Sequence, residues 1–284
     1  MKKWLGALFA AVLVFALAAC GGNDNNNAAE GGKGGELVKL KVGASNVPHA
    51  EILEKAKPIL KEKGIDLEII TFQDYILPNK ALADKDIDAN YFQHIPYLES
   101  QMKEHGYDFV NAGGIHIEPI GLYSKKYKSI EELPDGATII MSNSVADHGR
   151  ILSMLQEKGL IKLKPGVDKT KATVNDIVEN PKHLKFKADV DAGLLPQIYK
   201  NGEGDAVLIN ANYALDAGLD PAKDPIAVES PKNNPYVNIV AVRKGDENRK
   251  EIKTLVEVLQ SKEIQDFIKE KYHGAVIPAA TNNQ

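Results

Sequence analysis

Thr138-Ile139-Ile140-Met141-Ser142-Asn143-Ser144-Val145-Ala146-Asp147-His148-Gly149-Arg150 reads as a strand that passes straight into a helix. The run over 138–141 is continuously apolar, as in strands covered on both faces. Residues 145–158 then carry apolar side chains at helical spacing and stop at Gly159. Ser144 and Asp147, three apart at the junction, match a capping box that starts the helix. A strand followed at once by a helix is the building unit of a sheet covered by helices on both faces. The free N–H groups of that first helical turn favour an anion. Arg150 lies further in, and helical side chains lean toward the N-terminus, so its fork could reach a carboxylate held near the cap. An exposed arginine on a solvated helix face fits the same spacing.

Working outward, the alternation repeats along the chain. Strands are expected over 38–43, 67–71, 87–91, 109–115, 120–123, 138–141, 206–209 and 237–242. Helices are expected over 50–63 despite Pro58, then 80–83, 97–105, 145–158, after Asn210, and over 246–260 and 262–271. The chain is too long for one compact sheet of this kind, so two α/β lobes are expected. Ligands of open α/β sheets bind beyond the carboxyl ends of the strands. Residues that follow strands are therefore the candidates for function.

Phe92, His94 and Tyr97 lie close together after one strand and, with Tyr75, could wall an apolar pocket with polar tips. Core packing for Phe92 and Tyr97, with a surface or capping role for His94, fits equally. Asn210 and Asn238 each sit at a strand boundary, and an amide offers a donor and an acceptor without adding charge. Turn and cap asparagines are the plainer reading of both.

The N-terminus sets the compartment. Lys2 and Lys3 precede an uncharged apolar run from Trp4 to Ala19, which ends in Leu17-Ala18-Ala19-Cys20. The run is short for a spanning helix, which needs about 20 apolar residues, and it reads as a secretory signal over 1–19. The tetrad resembles a bacterial lipobox, which implies lipidation of Cys20, the single cysteine of the chain. No disulfide can form within the chain, so stability must come from core packing. Residues 20–36 are rich in Gly and Asn and read as a flexible tether spanning roughly 20–25 Å.

The net charge is −4, or −6 once Lys2 and Lys3 leave with the signal. There is no basic cluster for nucleic acid and no fixed-period repeat. Neither G-x-S-x-G nor H-E-x-x-H occurs, so an enzyme is not expected. A metal-binding lipoprotein would recruit His49, His94, His116 or His148, but no pair of these sits at ligand spacing with a third ligand, and no metal or cofactor is expected.

Several segments together carry a family resemblance. They are the lipobox, Asn79-Lys80-Ala81-Leu82, the run from Ile87 to His94, Glu118-Pro119-Ile120-Gly121, Glu179-Asn180-Pro181-Lys182, the segments at Asn210 and Asn238, and the C-terminal Lys271-Tyr272-His273-Gly274-Ala275-Val276. The chain resembles the methionine-binding lipoproteins of methionine ABC importers, the NlpA lipoprotein family, over essentially its whole mature length. The resemblance implies a two-lobed periplasmic-binding-protein fold, type II-like, with a mixed sheet flanked by helices in each lobe and the ligand cleft between lobes. Residues 37–117 with 236–284 would form lobe 1 and residues 118–235 lobe 2, with hinges near Gly113–Tyr123 and Val228–Val240. Tyr75, Phe92, His94 and Tyr97 would line the side-chain pocket. Arg150 would pair with the α-carboxylate, and Asn210 and Asn238 would hold the carboxylate and amino groups. The implied partners are L-methionine, an ABC permease with its ATPase subunit, and the outer face of the cell membrane through the lipid on Cys20, for a monomeric protein. Another small amino acid is the alternative ligand. Between Met141 and Gly149 the chain departs from the Pro-Asn-Asp-Pro-Thr-Asn-like run common in the family, beside Arg150. The departure leaves room for D-methionine, methionine sulfoxide or a short methionine peptide.

Overall fold

The computed structural model describes residues 36–279. The expected signal, Cys20 and the tether up to residue 35 lie outside the described residues. No helix among the described residues is long and apolar enough to cross a membrane.

The first half runs β1 (Val38–Ser45), α1 (Glu51–Glu62), β2 (Ile65–Phe72), α2 (Leu77–Ala83), β3 (Ala89–His94), α3 (Ile95–His105) and β4 (Phe109–Ile117). The chain then crosses into β5 (Gly121–Tyr123), β6 (Thr138–Ser142) and α4 (Val145–Glu157). A small antiparallel ladder of β7 (Lys162–Leu163) and β8 (Ile177–Glu179) follows. Next come β9 (Lys185–Val190), α5 (Leu195–Asn201), β10 (Ala206–Ile209), α6 (Ala211–Asp216) and β11 (Ala227–Val228). A second crossing leads back into β12 (Val237–Arg243), α7 (Lys250–Leu259), α8 (Lys262–Tyr272) and β13 (Ile277–Pro278).

Both sheets follow one plan. The first has the order β2-β1-β3-β12-β4-β13, with β1 parallel to β2 and β3, and β12 antiparallel to both of its neighbours. The second has the order β9-β6-β10-β5-β11, with β6 parallel to β9 and β10, and β5 antiparallel to both neighbours. In each sheet the inserted antiparallel strand is the one that has just crossed from the other half.

The apolar periodicity explains the layers. On β6, Ile139 and Met141 face Ile151, Leu152 and Leu155 of α4, while Ile140 faces the opposite side with Val207, Ile209 and Leu195. A strand buried on both faces needs no polar alternation. In the first sheet, Leu40 and Val42 pack under Leu53 and Leu60 of α1 and Leu255 and Leu259 of α7. Leu82, Leu98 and Ile239 fill the other face. Each such fully buried side chain contributes roughly 1.5–3 kcal/mol of hydrophobic stabilisation. Helix α1 continues through Pro58 because that ring is exposed and the buried side is intact.

Two sequence expectations shift. The strand expected over 87–91 is β3 at Ala89–His94, because β12 pairs with it as far as His94. The stretch 160–205, for which the sequence suggested no element, contains β9 and α5. β9 is an edge strand reading Lys-Phe-Lys-Ala-Asp-Val, half exposed and charged, so its apolar signal is weak.

Candidate ligand-binding site

The cleft between the sheets receives the carboxyl ends of β3, β6 and β10. It also receives the amino end of β12, where Asn238 sits in register with His94 on one side and His116 on the other. A pocket opens there, with about 390 Å³ of empty space when the part open to solvent is counted. Tyr75, Phe92, His94, Tyr97, Arg150, Asn210 and Asn238, the residues singled out from the sequence, all line it. Gln93, Glu118, Asp147, Ala211 and Asn212 complete the lining.

One wall is aromatic. Tyr75, Phe92 and Tyr97 meet with ring centroids 5.9–6.2 Å apart. Polar contacts close the cleft over it: the Tyr75 hydroxyl donates to Asn212 Oδ1 (2.6 Å), and Tyr213 donates to the Gln73 carbonyl (3.2 Å). His94 serves two ends at once. Its Nδ1 accepts from the backbone N–H of Tyr97 (3.1 Å), capping α3, and its Nε2 donates to Asp147 Oδ1 (2.9 Å).

The expected capping box is not formed. Ser144 makes no side-chain cap bond, and Asp147 turns into the cleft instead, between His94, Asn210 and Arg150. A charged partner in a buried setting outcompetes a cap bond available to water. Burial by itself would raise the Asp147 carboxyl, but the His94 bond, the Arg150 charge and the Asn210 amide outweigh it and hold it at about 2. Arg150 is also buried, against the cost of desolvation, because Glu229 and Asp147 surround it with negative charge. Its Nε lies 3.1–3.2 Å from the Glu229 carboxylate, its Nη2 also contacts Glu229, and that Nη2 donates to the Glu118 carbonyl at 2.7 Å. Its guanidinium lies over the Tyr236 ring, with Cζ 4.5 Å from the ring centroid. Glu118 belongs to the first crossing and Glu229 to the second, so Arg150 clasps both. Nη1, 3.7 Å from Asp147 Oδ1, is the corner of the fork that Glu229 does not engage.

The two asparagines face the cavity with opposite polarity. Asn210 Nδ2 donates to Asp147 Oδ2 (3.1 Å), which leaves its Oδ1 buried without a partner. An orphaned buried acceptor calls for a donor on the ligand. Asn238 is the reverse, since its Oδ1 is occupied by His49 Nε2 (3.0 Å) and its Nδ2 is left to donate.

Behind Asn238 the fold gathers His49, His116 and Glu118, which the sequence spacing did not suggest as a group. His49 stands 69 residues away from Glu118 and reaches it only through the packing of β1 and β4 onto the same sheet. His116 Nε2 lies 2.6 Å and His49 Nε2 3.1 Å from Glu118 Oε1. These are hydrogen-bond distances between a carboxylate and two imidazoles. Atoms that share a tetrahedral metal at about 2.0–2.1 Å stand further apart than the closer pair.

Burial holds both imidazoles neutral, His49 down to about 4 and His116 to about 3, whereas Glu118 is pushed upward by the same burial. In the unfolded chain the histidines take up protons near 6.5. Between 6.5 and those folded values the unfolded state therefore binds more protons, and stability present above 6.5 is lost as pH falls. Glu118 works in the opposite sense and offsets part of the loss. Urea unfolding of the ligand-free protein should show about 2–4 kcal/mol less stability at pH 4.5 than at pH 7. An unchanged midpoint would contradict neutral burial of the pair.

Sequence reading missed Asp147 as a lining group, although it lies inside the opening stretch, because a cap was the simpler role. Glu118 lay within a quoted family segment without an assigned role. Glu229 and Asn212 carried no local signal.

The NlpA lipoprotein family model matches residues 40–280. The methionine-binding lipoprotein MetQ of Bacillus subtilis strain 168 is 56% identical over 99% of this chain and 100% of its own length. A crystal structure of a pheromone cOB1 precursor/lipoprotein of the YaeC family from Enterococcus faecalis V583 is 58% identical, with a TM-score of 0.83 over 85% of this chain and 100% of that one. A nutrient binding protein from Burkholderia cenocepacia, solved bound to methionine, is 44% identical with a TM-score of 0.79, over 84% of this chain and 99% of that one. The paired sheets with their shared strand plan are the two-lobed periplasmic-binding-protein fold. With the family model matching nearly the whole described body, the chain belongs to the NlpA lipoprotein family.

Proposed function

We propose that this chain is the substrate-binding lipoprotein of an ABC importer, capturing L-methionine in the cleft and passing it to a membrane permease driven by an ATPase. The observation that carries the amino-acid reading is the buried, unpartnered Asn210 Oδ1 beside the Asp147 carboxylate. Together they suit an ammonium group. The donor face of Asn238 and the free corner of Arg150 suit a carboxylate, so the cleft reads as a zwitterion site. The aromatic wall of Tyr75, Phe92 and Tyr97 takes the side chain, where a thioether gains sulfur–aromatic contacts and its flexible stem fills irregular space. The similarity to a methionine-binding lipoprotein of Bacillus subtilis and to a methionine-bound protein of Burkholderia cenocepacia supports methionine over other amino acids.

Among the described residues the lobes are 37–117 with 236–279, and 118–235, moving about the two crossings between Ile117 and Gly121 and between Val228 and Val237. The ligand favours the closed form by its differential affinity for it. Lipid on Cys20 holds the monomeric protein at the outer face of the cell membrane, near its permease. No reaction is catalysed.

Calorimetry is the direct test, because the single tryptophan, Trp4, lies in the signal and leaves no tryptophan reporter in the body. L-Methionine should bind at about 1 μM, near −8 kcal/mol, and N-acetyl-L-methionine, which lacks the ammonium, at least about 100-fold more weakly. Native mass spectrometry of protein purified without added ligand should show the mass of an amino acid. Equal binding of the acetylated ligand, or a metal mass in place of an amino-acid mass, would defeat this reading.

A further inference from the structure

His49, His116 and Tyr91 lie behind the cleft wall and do not line the cavity, yet they are fully buried and bonded to two residues that do. The protons in this cluster can be placed by elimination. A neutral imidazole has one N–H. His116 turns Nε2 to Glu118 Oε1; with Glu118 ionised beside Arg150 that oxygen only accepts, which puts the proton on Nε2 and leaves Nδ1 to accept from the Tyr91 hydroxyl. His49 also turns Nε2 toward Glu118, with Oε1 3.1 Å away as an ion-pair contact, and a carboxylate that close favours the proton on Nε2 as well. Its Nδ1, which then carries no hydrogen, is buried and has no partner. The ring is held edge-on against Tyr91, with centroids 4.7 Å apart. The same Nε2–H also points to Asn238 Oδ1 at 3.0 Å. That atom must be the amide oxygen, since an N–H cannot donate to an NH2.

We propose that His49 is a positioning residue for ligand recognition: its Nε2–H, oriented by Glu118, holds the carbonyl of Asn238 so that the amide N–H groups face the ligand carboxylate. This rests on the reading of the cleft as an amino-acid site. An asparagine without that partner can turn over and present its oxygen to an anion. The device also spans the hinge, because Glu118 lies on the first crossing, Asn238 just after the second, and His49 between β1 and α1. His49 thus reads the relative placement of both crossings and passes it to the ligand contact.

A thermodynamic cycle on the mature protein tests this, with calorimetry of His49→Leu, Asn238→Ala and the double variant. L-Methionine and L-methioninol, which lacks the carboxylate, are the probes. His49→Leu should weaken L-methionine about tenfold and L-methioninol less than about twofold. In the Asn238→Ala background it should add less than about twofold to the loss. Equal losses on both ligands, or additive losses in the cycle, would overturn the proposal. Should His49→Leu fail to fold, His49→Gln and His49→Asn replace it. The Gln amide N–H reaches the Nε2 position and should recover most of the affinity, whereas Asn should not, and equal affinities would count against the idea. A ligand-free measurement separates this proposal from the functional reading. Long-range proton–nitrogen NMR of the imidazoles at pH 7 should show His49 protonated at Nε2 alone. The Nδ1–H tautomer overturns the proposal even if methionine binds. If wild-type protein with the expected tautomer binds no methionine, the functional reading fails and takes this proposal with it.

Discussion

Arg150→Ala should abolish methionine binding at micromolar ligand and also destabilise the ligand-free protein. Both effects have the same origin. Arg150 is buried between Glu229 and Asp147, with a further bond to the Glu118 carbonyl. Removing it leaves two buried carboxylates without a counter-charge, and breaking a buried pair in this way costs about 3–5 kcal/mol. It also removes the cation from the carboxylate end of the cleft, where losing one partner of a charge pair costs roughly 2–5 kcal/mol, or about 30-fold to a few thousandfold in affinity. Arg150→Lys keeps the charge but cannot reach Glu229, Glu118 and the ligand together, so it should fall between the two. Urea unfolding and calorimetry on the same preparations separate the effects. Near-normal affinity in Arg150→Ala would remove this residue from the ligand contacts and leave it a purely structural clasp.

Gly149→Ala should be the most damaging single-methyl change in the second lobe. A Cβ at Gly149 would lie 2.3 Å from the Lys169 carbonyl oxygen and 2.7 Å from the Thr170 carbonyl carbon. These are backbone atoms, so no side-chain rotation relieves the contact. Alanine is otherwise favoured over glycine inside a helix by about 1 kcal/mol, which sets the sign as a contest. The clash is the larger effect, because overpacking against a fixed backbone costs about 1–3 kcal/mol or more. A net loss of about 2 kcal/mol would lower Tm by roughly 4–8 °C in a domain of this size. Affinity should fall as well, because any shift of α4 carries Asp147 and Arg150 with it. A Tm at or above wild type would mean that the 168–170 loop yields freely.

Much of the fold was legible because its strongest strands are buried on both faces. The runs at β6 and β10 and the helix after β6 needed only apolar periodicity and Gly159 to be located. β9 and α5 escaped because an edge strand rich in lysine and a short helix opening on Pro196 carry little periodic signal. At the site, Phe92, His94, Tyr97, Asn210 and Asn238 stood out because each lies near the end of an expected strand, and Arg150 because it lies on the helix that follows one. Their family resemblance then supplied roles that spacing alone left open.

The stretch from Thr138 to Arg150 by itself determined that a strand enters a helix, and that an arginine and a carboxylate lie near the junction. These are local facts, set by periodicity and by three- and four-residue neighbours. Only the tertiary structure decided where those two groups turn. Asp147 leaves the cap for His94, which is 53 residues away, and Arg150 binds Glu229, 79 residues away. Likewise Asn238 acquires its polarity from His49, 189 residues away. A hydrogen bond is chosen by what burial brings within about 3 Å, and nothing in a local sequence window holds that information.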